Sequence, residues 1–493
     1  MEYTLGIDIG TGSTKAVAIN EAGETFAVHQ VYYETSSPKQ GYSEQNPEEI
    51  WHAVKACLLS IRERIGASPV AVGLSSAMHS LVLLDQDARL LSPMLTWADS
   101  RSAEIASELR SSALGKSIYE ETGTPIHAMS PLCKMIWFRQ HEVSLFANTK
   151  HFVSIKEYIW FQLFGEFCVD YSIASCTGLF NISTLLWNKE SLALAGITQE
   201  QLSSPVDTDY TREGLGLKEN SLAAYSDVKF VIGASDGCLA NLGSFATAPG
   251  VAAVTIGTSG AVRVASRHPI IDFDSMIFNY LLNSNSFICG GPINNGGSAV
   301  KWLLKSVFGK KELTESTYKQ LFESISTIKA GSDGLLFLPY LTGERAPLWN
   351  EESCGTFFGL KSHHNQSHLS RAVLEGICFS LKDVLQVMEQ KGATIFQLNI
   401  SGGFVQSEIW MQMLADVTGK KLVLAQTEDA SAIGAAYLAA EATNFEVYKA
   451  IGDFRSISPN HKAQQAYQKI FALFKELYQT TSPIMLKLDQ LNR

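Results

Sequence analysis

MEYTLGIDIGTGSTKAVAIN, residues 1–20, reads as an apolar strand (Leu5, Ile7, Ile9), a turn of small residues and a second apolar strand from Ala16 to Ile19. A single carboxylate, Asp8, stands near the tip of this hairpin. Asp is a poor strand former, and a lone buried charge is costly unless something pairs with it. The residue either stabilises its own turn or serves a ligand.

The same design returns in VAAVTIGTSGAVRVAS, residues 251–266: apolar strand, Ile-Gly-Thr turn, apolar strand. Ile9 and Ile256 lie 247 residues apart, about half of the 493-residue chain, so the two halves read as copies of one architecture. Both turns offer backbone N–H groups and Thr or Ser hydroxyls, a cradle suited to phosphate oxygens. Only the first carries a carboxylate, Asp8, and a lysine, Lys15. Two such cradles across a domain cleft, with one carboxylate fit to seek a metal, describe a nucleotide site. It is not a Walker A loop, because no Gly-x-x-x-x-Gly-Lys-Ser/Thr string occurs. A repeat of the hairpin without phosphate binding is the alternative at this point.

The whole chain fits that reading. A length of 493 residues predicts two domains, and 46% hydrophobic residues suffice for globular cores. The net charge of -10, with no Lys/Arg-rich run, speaks against nucleic acid as partner. Eight cysteines without a Cys-x-x-Cys pair suggest neither zinc nor a disulfide framework. With no signal-peptide pattern and no apolar run long enough to span a bilayer, a cytoplasmic protein without membrane contact is expected.

Other segments read as α/β. PEEIWHAVKACLLSIRERI (47–65) is an amphipathic helix with Ile50, Val54, Leu58 and Ile61 on one face, and SPVAVGLSSAMHSLVLLD (68–85) reads as strand, turn, strand. VKFVIGASDGCLANLGSFA (228–246) is a buried strand entering a helix of small residues. FQLNISGGFVQSEIWMQMLADVTG (396–419) repeats that plan, with Gly402 and Gly403 at the turn and Ile409, Met413 and Val417 along a helix. Strands alternating with helices predict sheets covered by helices, with a boundary at SFATAPG (244–250), hence an N-terminal lobe of 1–245 and a C-terminal lobe of 246–493.

GASDG (233–237) admits two chemistries. As Gly-x-Ser-x-Gly between strand and helix it matches the nucleophile elbow of an α/β-hydrolase, with Ser235 as nucleophile. His268, His363, His364, His368 and His461 are then candidate partners, none fixed by spacing. Alternatively Asp236 is the working residue, a carboxylate at a strand end that takes the proton of a substrate hydroxyl during phosphoryl transfer. A plain helix N-cap is the structural reading of Asp236.

The chain resembles the FGGY family of carbohydrate kinases over nearly its full length. MSPLCKMIWFRQH (129–141) is similar to the family's first signature through Met129, Pro131, Lys134, Trp137 and His141. GTFFGLKSHHNQSHLSRAVLE (355–375) is similar to the second through Gly355, Gly359, His368, Ala372 and Glu375. The resemblance implies an α/β fold of two actin-like (ribonuclease H-like) ATPase lobes with ATP and Mg²⁺ in the cleft. Asp8 is then the metal handle, acting through water, with Asp236 near the metal as well as being the catalytic base. Gly10, Thr11, Thr14 and Lys15 belong to the phosphate side, and Gly257 and Thr258 cradle phosphates from the second lobe. Gly402, Gly403 and Ser407 match the turn where adenosine packs, and DASAIGAA (429–436) the last adenosine-side segment, with Gly434 at its turn.

For the acceptor, the resemblance points to Met78 and His79 in SSAMHS, to Trp97, Asp99 and Arg101 in TWADSR, and to Asp236. These strings, with GASDGCLANLG and PYLTGERAPLWN, are closer to gluconate kinases, whereas xylulose kinases more usually carry Met-His-Gly and Asp-Asn where this chain has Met-His-Ser and Asp236-Gly237. A gluconate site needs a cation or a cluster of donors, and Arg101, Lys134, Lys156 and protonated His79 are the candidates. The implied activity is phosphorylation of a terminal hydroxyl, gluconate to 6-phosphogluconate, with xylulose or another pentulose as the alternative. The implied partners are the small-molecule sugar and MgATP, and a homodimer is allowed for. An actin-like ATPase without a sugar substrate and the Ser235 hydrolase are the readings from other classes.

Overall fold

The computed structural model of the chain describes residues 2–424, 429–448 and 455–492. They fall into two compact units. The first takes residues up to Phe245, then Ser266–Cys289 and the residues from Asp429 to Tyr448; the second takes Ala246–Ala265, Gly290 to Leu424, and Arg455 to Asn492. The chain thus changes unit within SFATAPG, but two later segments return to the first unit, which a single cut after residue 245 does not provide for.

The first unit is built on a six-stranded sheet in the order Thr211–Glu213, Lys229–Ser235, Ala71–Ser76, Tyr3–Ile9, Ser13–Asn20, Thr25–Tyr32. Tyr3–Ile9 runs antiparallel to Ser13–Asn20 and parallel to Ala71–Ser76. Side chains alternate across a strand, so Leu5, Ile7 and Ile9 share one face, where they join the core formed with Ile50, Val54, Leu58 and Ile61 of the helix Pro47–Ile65. That helix starts where the sequence predicts: Asn46 caps it by accepting the Glu48 N–H, Pro47 opens it, and Gly66 closes it at φ 77°.

Gly6 and Asp8 share the opposite face, and Gly6 explains the string DASAIGAA. The helix Ala430–Ala442 lies so close to the sheet that a Cβ on Gly6 would stand 1.8 Å from the Ala432 carbonyl oxygen, and one on Gly73 2.1 Å from that of Ala435. Small residues are required wherever two backbones approach this nearly. Gly6→Ala is therefore expected to destabilise the protein by about 1–3 kcal/mol or more, the usual cost of forced overpacking. A urea midpoint equal to that of the wild type would contradict this packing.

In the second unit the strands Gly260–Ser266, Val251–Ile256, Gln397–Ser401, Lys421–Leu424 and Ser456–Ile457 are consecutive neighbours. Val251–Ile256 is antiparallel to its hairpin partner and parallel to Gln397–Ser401, as Tyr3–Ile9 is in the first unit. The repeat extends to one hydrogen bond. Asp8 pairs in register with Ser75, whose hydroxyl donates to it at 2.7 Å. Thr255 pairs in register with Ser401, the two hydroxyls 3.0 Å apart. Threonine stands in the second copy where the first has its carboxylate.

The helix Glu408–Thr418 buries Met413 and Val417 as expected, but Ile409 is only half-buried, and Trp410, Met411 and Leu414 fill the inner face instead. In the second signature, His368 belongs to the N-terminal cap of the helix Gln366–Gln390. Glu375 is buried against Arg371, Tyr467 and the Gly331 N–H, so both residues serve packing. All eight cysteines are free thiols and seven are buried. No helix among the described residues is long and apolar enough to cross a membrane.

Candidate active site

Three parallel strands of the first unit end together. Ile9 pairs with Ser76, and Ser76 with Ser235, so Asp8, Ser75 and Asp236 lie along the carboxyl edge of the sheet, where open α/β sheets bind ligands. Two strand spacings, about 10 Å, separate the strands of Asp8 and Asp236, which leaves room for a phosphoryl group and a hydroxyl. Asp8 is half-buried, and desolvation raises its pKa above the usual carboxylate range. The Ser75 hydroxyl and the Lys15 charge act against that rise, while Asp429 adds to it. Lys15, in register with Asp8, is ion-paired with Asp429. Asp429, which opens the DASAIGAA segment, was not singled out from sequence; its partner lies 414 residues away.

The turn that follows is held from several sides. The Gly10 N–H bonds the Ser13 carbonyl at 3.0 Å, and Tyr33 donates its hydroxyl to the Gly10 carbonyl at 2.6 Å. Thr11 presents its hydroxyl to the Trp97 indole N–H at 3.0 Å, and its carbonyl accepts from the Gln45 amide. Thr14 departs from its implied nucleotide role: its side chain is buried and donates its hydroxyl to Tyr33 at 3.5 Å. Tyr33 and Gln45 carry no motif signal, which is why sequence reading missed them.

GASDG resolves into backbone geometry plus one partly exposed carboxylate. Gly233, at φ 72°, sits at a bulge between Val231 and Ala234, where a Cβ would fall 1.8 Å from the Leu74 carbonyl oxygen. Ser235 is fully buried, its hydroxyl engaged with Ser172 at 2.9 Å and with the Cys238 N–H at 3.4 Å. It caps the helix Asp236–Gly243, so the cap is Ser235 and not Asp236. A buried capping hydroxyl is no nucleophile elbow, and the hydrolase reading loses its residue. Asp236 is the first helical residue, partly exposed, with Oδ1 accepting the Gly237 N–H at 2.7 Å.

A small cavity in the same unit is lined by Gly10, Thr11, Gln45, Met78, Thr96 and Trp97 among others, which brings two of the predicted acceptor residues, Met78 and Trp97, to the Gly10–Thr11 turn, while His79, Asp99, Arg101 and Asp236 do not line it. His79 adopts φ 64°, with Nδ1 2.8 Å from the Cys176 carbonyl and Nε2 3.3 Å from the Tyr280 hydroxyl. The carbonyl can only accept, which fixes the proton on Nδ1. The candidate cations are engaged elsewhere. Arg101 is clamped by Glu44 at 2.5 Å and buried Asp99 at 2.8 Å, with its guanidinium 3.6 Å from the centre of the Tyr42 ring. Lys156 pairs with Asp170 at 2.8 Å, both buried, and Lys134 donates to two backbone carbonyls. Asp99, Arg101 and Glu44 thus form a closed ion-pair cluster, and the expectation that Arg101 offers a spare charge to a ligand does not fit its two carboxylate partners.

In the second unit, a cavity of about 320 Å³ is lined by Gly257, Gly297, Tyr318, Phe322, Gly403, Phe404 and Trp410 among others. Next to it a second hollow is bounded by Gly257, Thr258, Ser298, Lys301, Trp302 and Lys305. An aromatic slot beside a glycine turn with two lysines suits a base followed by phosphates. The Gly257 carbonyl accepts the Gly297 N–H at 2.7 Å, and the Thr258 carbonyl accepts the Gly296 and Ser298 N–H groups, each at 3.1 Å. Gly402, at φ 100°, lets the turn close on Ile256, and Gly403 has open space. Two expected contacts are structural instead. Ser407 is the buried cap of the helix Glu408–Thr418. Gly434 is buried in the first unit, where a Cβ would meet the Leu239 carbonyl oxygen at 2.1 Å. Lys301 and Lys305 were missed because lysines at helical spacing read as a solvated face.

Among the described residues no three His, Cys, Asp or Glu side chains cluster to cage a metal. That donor set still fits Mg²⁺, which keeps several waters and is bound by one or two carboxylates plus substrate phosphates.

Models of the FGGY family of carbohydrate kinases match the chain in two parts, the N-terminal domain over residues 3–243 and the C-terminal domain over 252–443. The chain is 38% identical to the gluconokinase of Bacillus subtilis (strain 168) over 498 residues, covering 99% of this chain and 96% of that one. The crystal structure of gluconate kinase from Lactobacillus acidophilus superposes with a TM-score of 0.93 at 32% identity, covering 99% of each chain. The ligand-bound xylulose kinase from the same organism gives a TM-score of 0.93 at 31% identity, covering 99% of this chain and 100% of that one.

Proposed function

The chain belongs to the FGGY family of carbohydrate kinases and is an ATP-dependent sugar kinase, and we propose that its acceptor is D-gluconate, phosphorylated at the terminal hydroxyl to 6-phosphogluconate. The observation that carries the choice of acceptor is the 38% identity to a gluconokinase across the whole chain. Xylulose is the second reading, favoured by the structural likeness to a xylulose kinase. Eight free thiols suit a reducing compartment, and the cytoplasm is the proposed location.

In this reading Met78, His79 and Trp97 receive the sugar acid at the carboxyl edge of the first sheet. Asp236 takes the proton of the terminal hydroxyl as that oxygen attacks the γ-phosphorus and the bond to ADP breaks. Lys15 meets the negative charge of the transferring phosphoryl group. Asp8 would hold Mg²⁺, which when bound would neutralise phosphate charge. The aromatic slot between Phe322, Phe404 and Trp410 receives the adenine.

ATP consumption measured with gluconate, xylulose, ribulose and glycerol in turn tests the assignment. The highest kcat/KM is expected with gluconate. Turnover of xylulose without turnover of gluconate would replace the acceptor, and equal ATP use with no sugar would return the ATPase reading.

Asp8→Asn tests the metal handle with two readouts. The Mg²⁺ concentration for half-maximal rate should rise about 10–100-fold, as for loss of an outer-sphere partner. Stability should move the other way. A carboxyl whose folded pKa is raised supports the fold below its unfolded pKa and loses that contribution as pH rises through the folded value, so at neutral pH the ionised group is a burden. The asparagine variant, free of Mg²⁺ and nucleotide, should therefore melt no lower than wild type at pH 7. A lower melting temperature with unchanged Mg²⁺ dependence would make Asp8 a turn-stabilising residue.

A further inference from the structure

The geometry points to Lys134 as a positioning residue for the acceptor site: its amine ties together the two backbone stretches that carry Met78–His79 and Trp97. Lys134 lies on the helix Pro131–His141 and is fully buried. Its Nζ donates to the His79 carbonyl at 2.6 Å and to the Thr96 carbonyl at 2.7 Å. These are the residues next to Met78 and Trp97.

The two stretches pair through bridges at Leu84–Leu90 and at Leu81–Leu95, and at the second the N–H groups and carbonyls exchange bonds at 3.0 and 2.9 Å. Towards the site the chains part. His79 turns into φ 64°, an uncommon conformation for a residue with a side chain, and the Thr96 carbonyl turns to accept the Asp99 N–H at 3.2 Å. The lysine amine enters where the ladder stops and supplies the donors that a continued strand pair would have supplied. The Thr96 carbonyl keeps the Asp99 N–H in any case, whereas the His79 carbonyl takes its bond from the lysine. A buried carbonyl is costly to leave unpaired, so the amine secures the turn at His79 and, through its second bond to Thr96, the separation of the stretches.

This role does not need a charge. Burial pushes the Lys134 pKa down to about 7; Asp99 counters the shift and Arg101 adds to it. A neutral amine still carries two N–H groups, which matches the two carbonyls. Lys134 is therefore spent on the backbone and is not the cation for a substrate carboxylate.

The inference rests on the reading that Met78, His79 and Trp97 face the acceptor, and three variants separate the two claims. Steady-state kinetics are measured with the acceptor that wild-type enzyme phosphorylates best. Lys134→Met, which keeps the stem and removes the donors, should raise the acceptor KM about 10–100-fold, the effect of an ångström-scale misplacement. The KM for ATP should stay within about twofold. Lys156→Met removes an equally buried amine, one that bonds the Ala234 carbonyl at 3.0 Å near Asp236, and should lower stability and kcat while leaving the acceptor KM in place. Equal effects of both lysine variants on both KM values would reduce Lys134 to general stability and overturn the inference. Trp97→Ala tests the acceptor reading itself: an unchanged acceptor KM there removes the reading, whereas a raised one beside an unaffected Lys134→Met removes only the role of Lys134. Should Lys134→Met not fold, Lys134→Gln retains an NH₂ donor able to reach one carbonyl, and a smaller rise in the acceptor KM alone is expected.

Discussion

Asp236→Asn should lower kcat by about 10²–10⁴-fold, the range that general-base catalysis supplies, with a small change in the acceptor KM. The substitution keeps the local structure. Asp236 is the first residue of its helix and its Oδ1 accepts the Gly237 N–H at 2.7 Å, a bond that an asparagine carbonyl also accepts. Only the basic oxygen is lost. Because phosphoryl transfer passes through a loose transition state in which the nucleophile keeps its proton late, the lower part of the range is favoured. Ser235→Ala provides the contrast. It removes a helix cap and a buried hydrogen bond to Ser172, together about 1–3 kcal/mol of stability, but no proton acceptor, so kcat should hold. An inactive Ser235→Ala that still folds, beside an active Asp236→Asn, would exchange the roles of the two residues and sink the kinase assignment of this segment.

The difference between these neighbours shows what the sequence can carry. The strand, the helix and the glycine punctuation of residues 228–246 were legible because they follow from local periodicity and backbone sterics. Which of Ser235 and Asp236 is the more exposed was not, because that depends on the register shift between Val231 and Ala234 against the strand Ala71–Ser76. The repeated hairpin announced two related units, yet nothing local says that the segment from Asp429 to Tyr448 returns to the first. The small residues of DASAIGAA recorded a close approach without naming the sheet they approach. Cations were the least legible. Arg101, Lys134 and Lys156 looked available to a ligand as letters, but each is engaged by groups tens of residues away or brought together by a turn. Pairing of charges across a fold leaves no periodic trace.

Lys15→Met should cut kcat about 10²–10³-fold, the loss seen when one preorganised donor to developing transition-state charge is removed. Magnitude separates this from a structural effect. Lys15 and Asp429 are both partly exposed, and ion pairs of that kind contribute at most about 1 kcal/mol, so the variant should unfold near the wild-type midpoint. The pH profile gives an independent sign. Lys15 lowers the Asp8 pKa and Asp429 raises it; without the lysine the two carboxylates face each other and Asp8 holds its proton to higher pH. The acid limb of kcat should therefore move to higher pH in Lys15→Met. In a Lys15→Met, Asp429→Asn double variant it should move back part of the way, while kcat stays low because the donor is still missing. A single variant with wild-type kcat and an unmoved acid limb would mean that Lys15 does no more than hold Asp429, and the transferring phosphoryl group would have to be met by another residue.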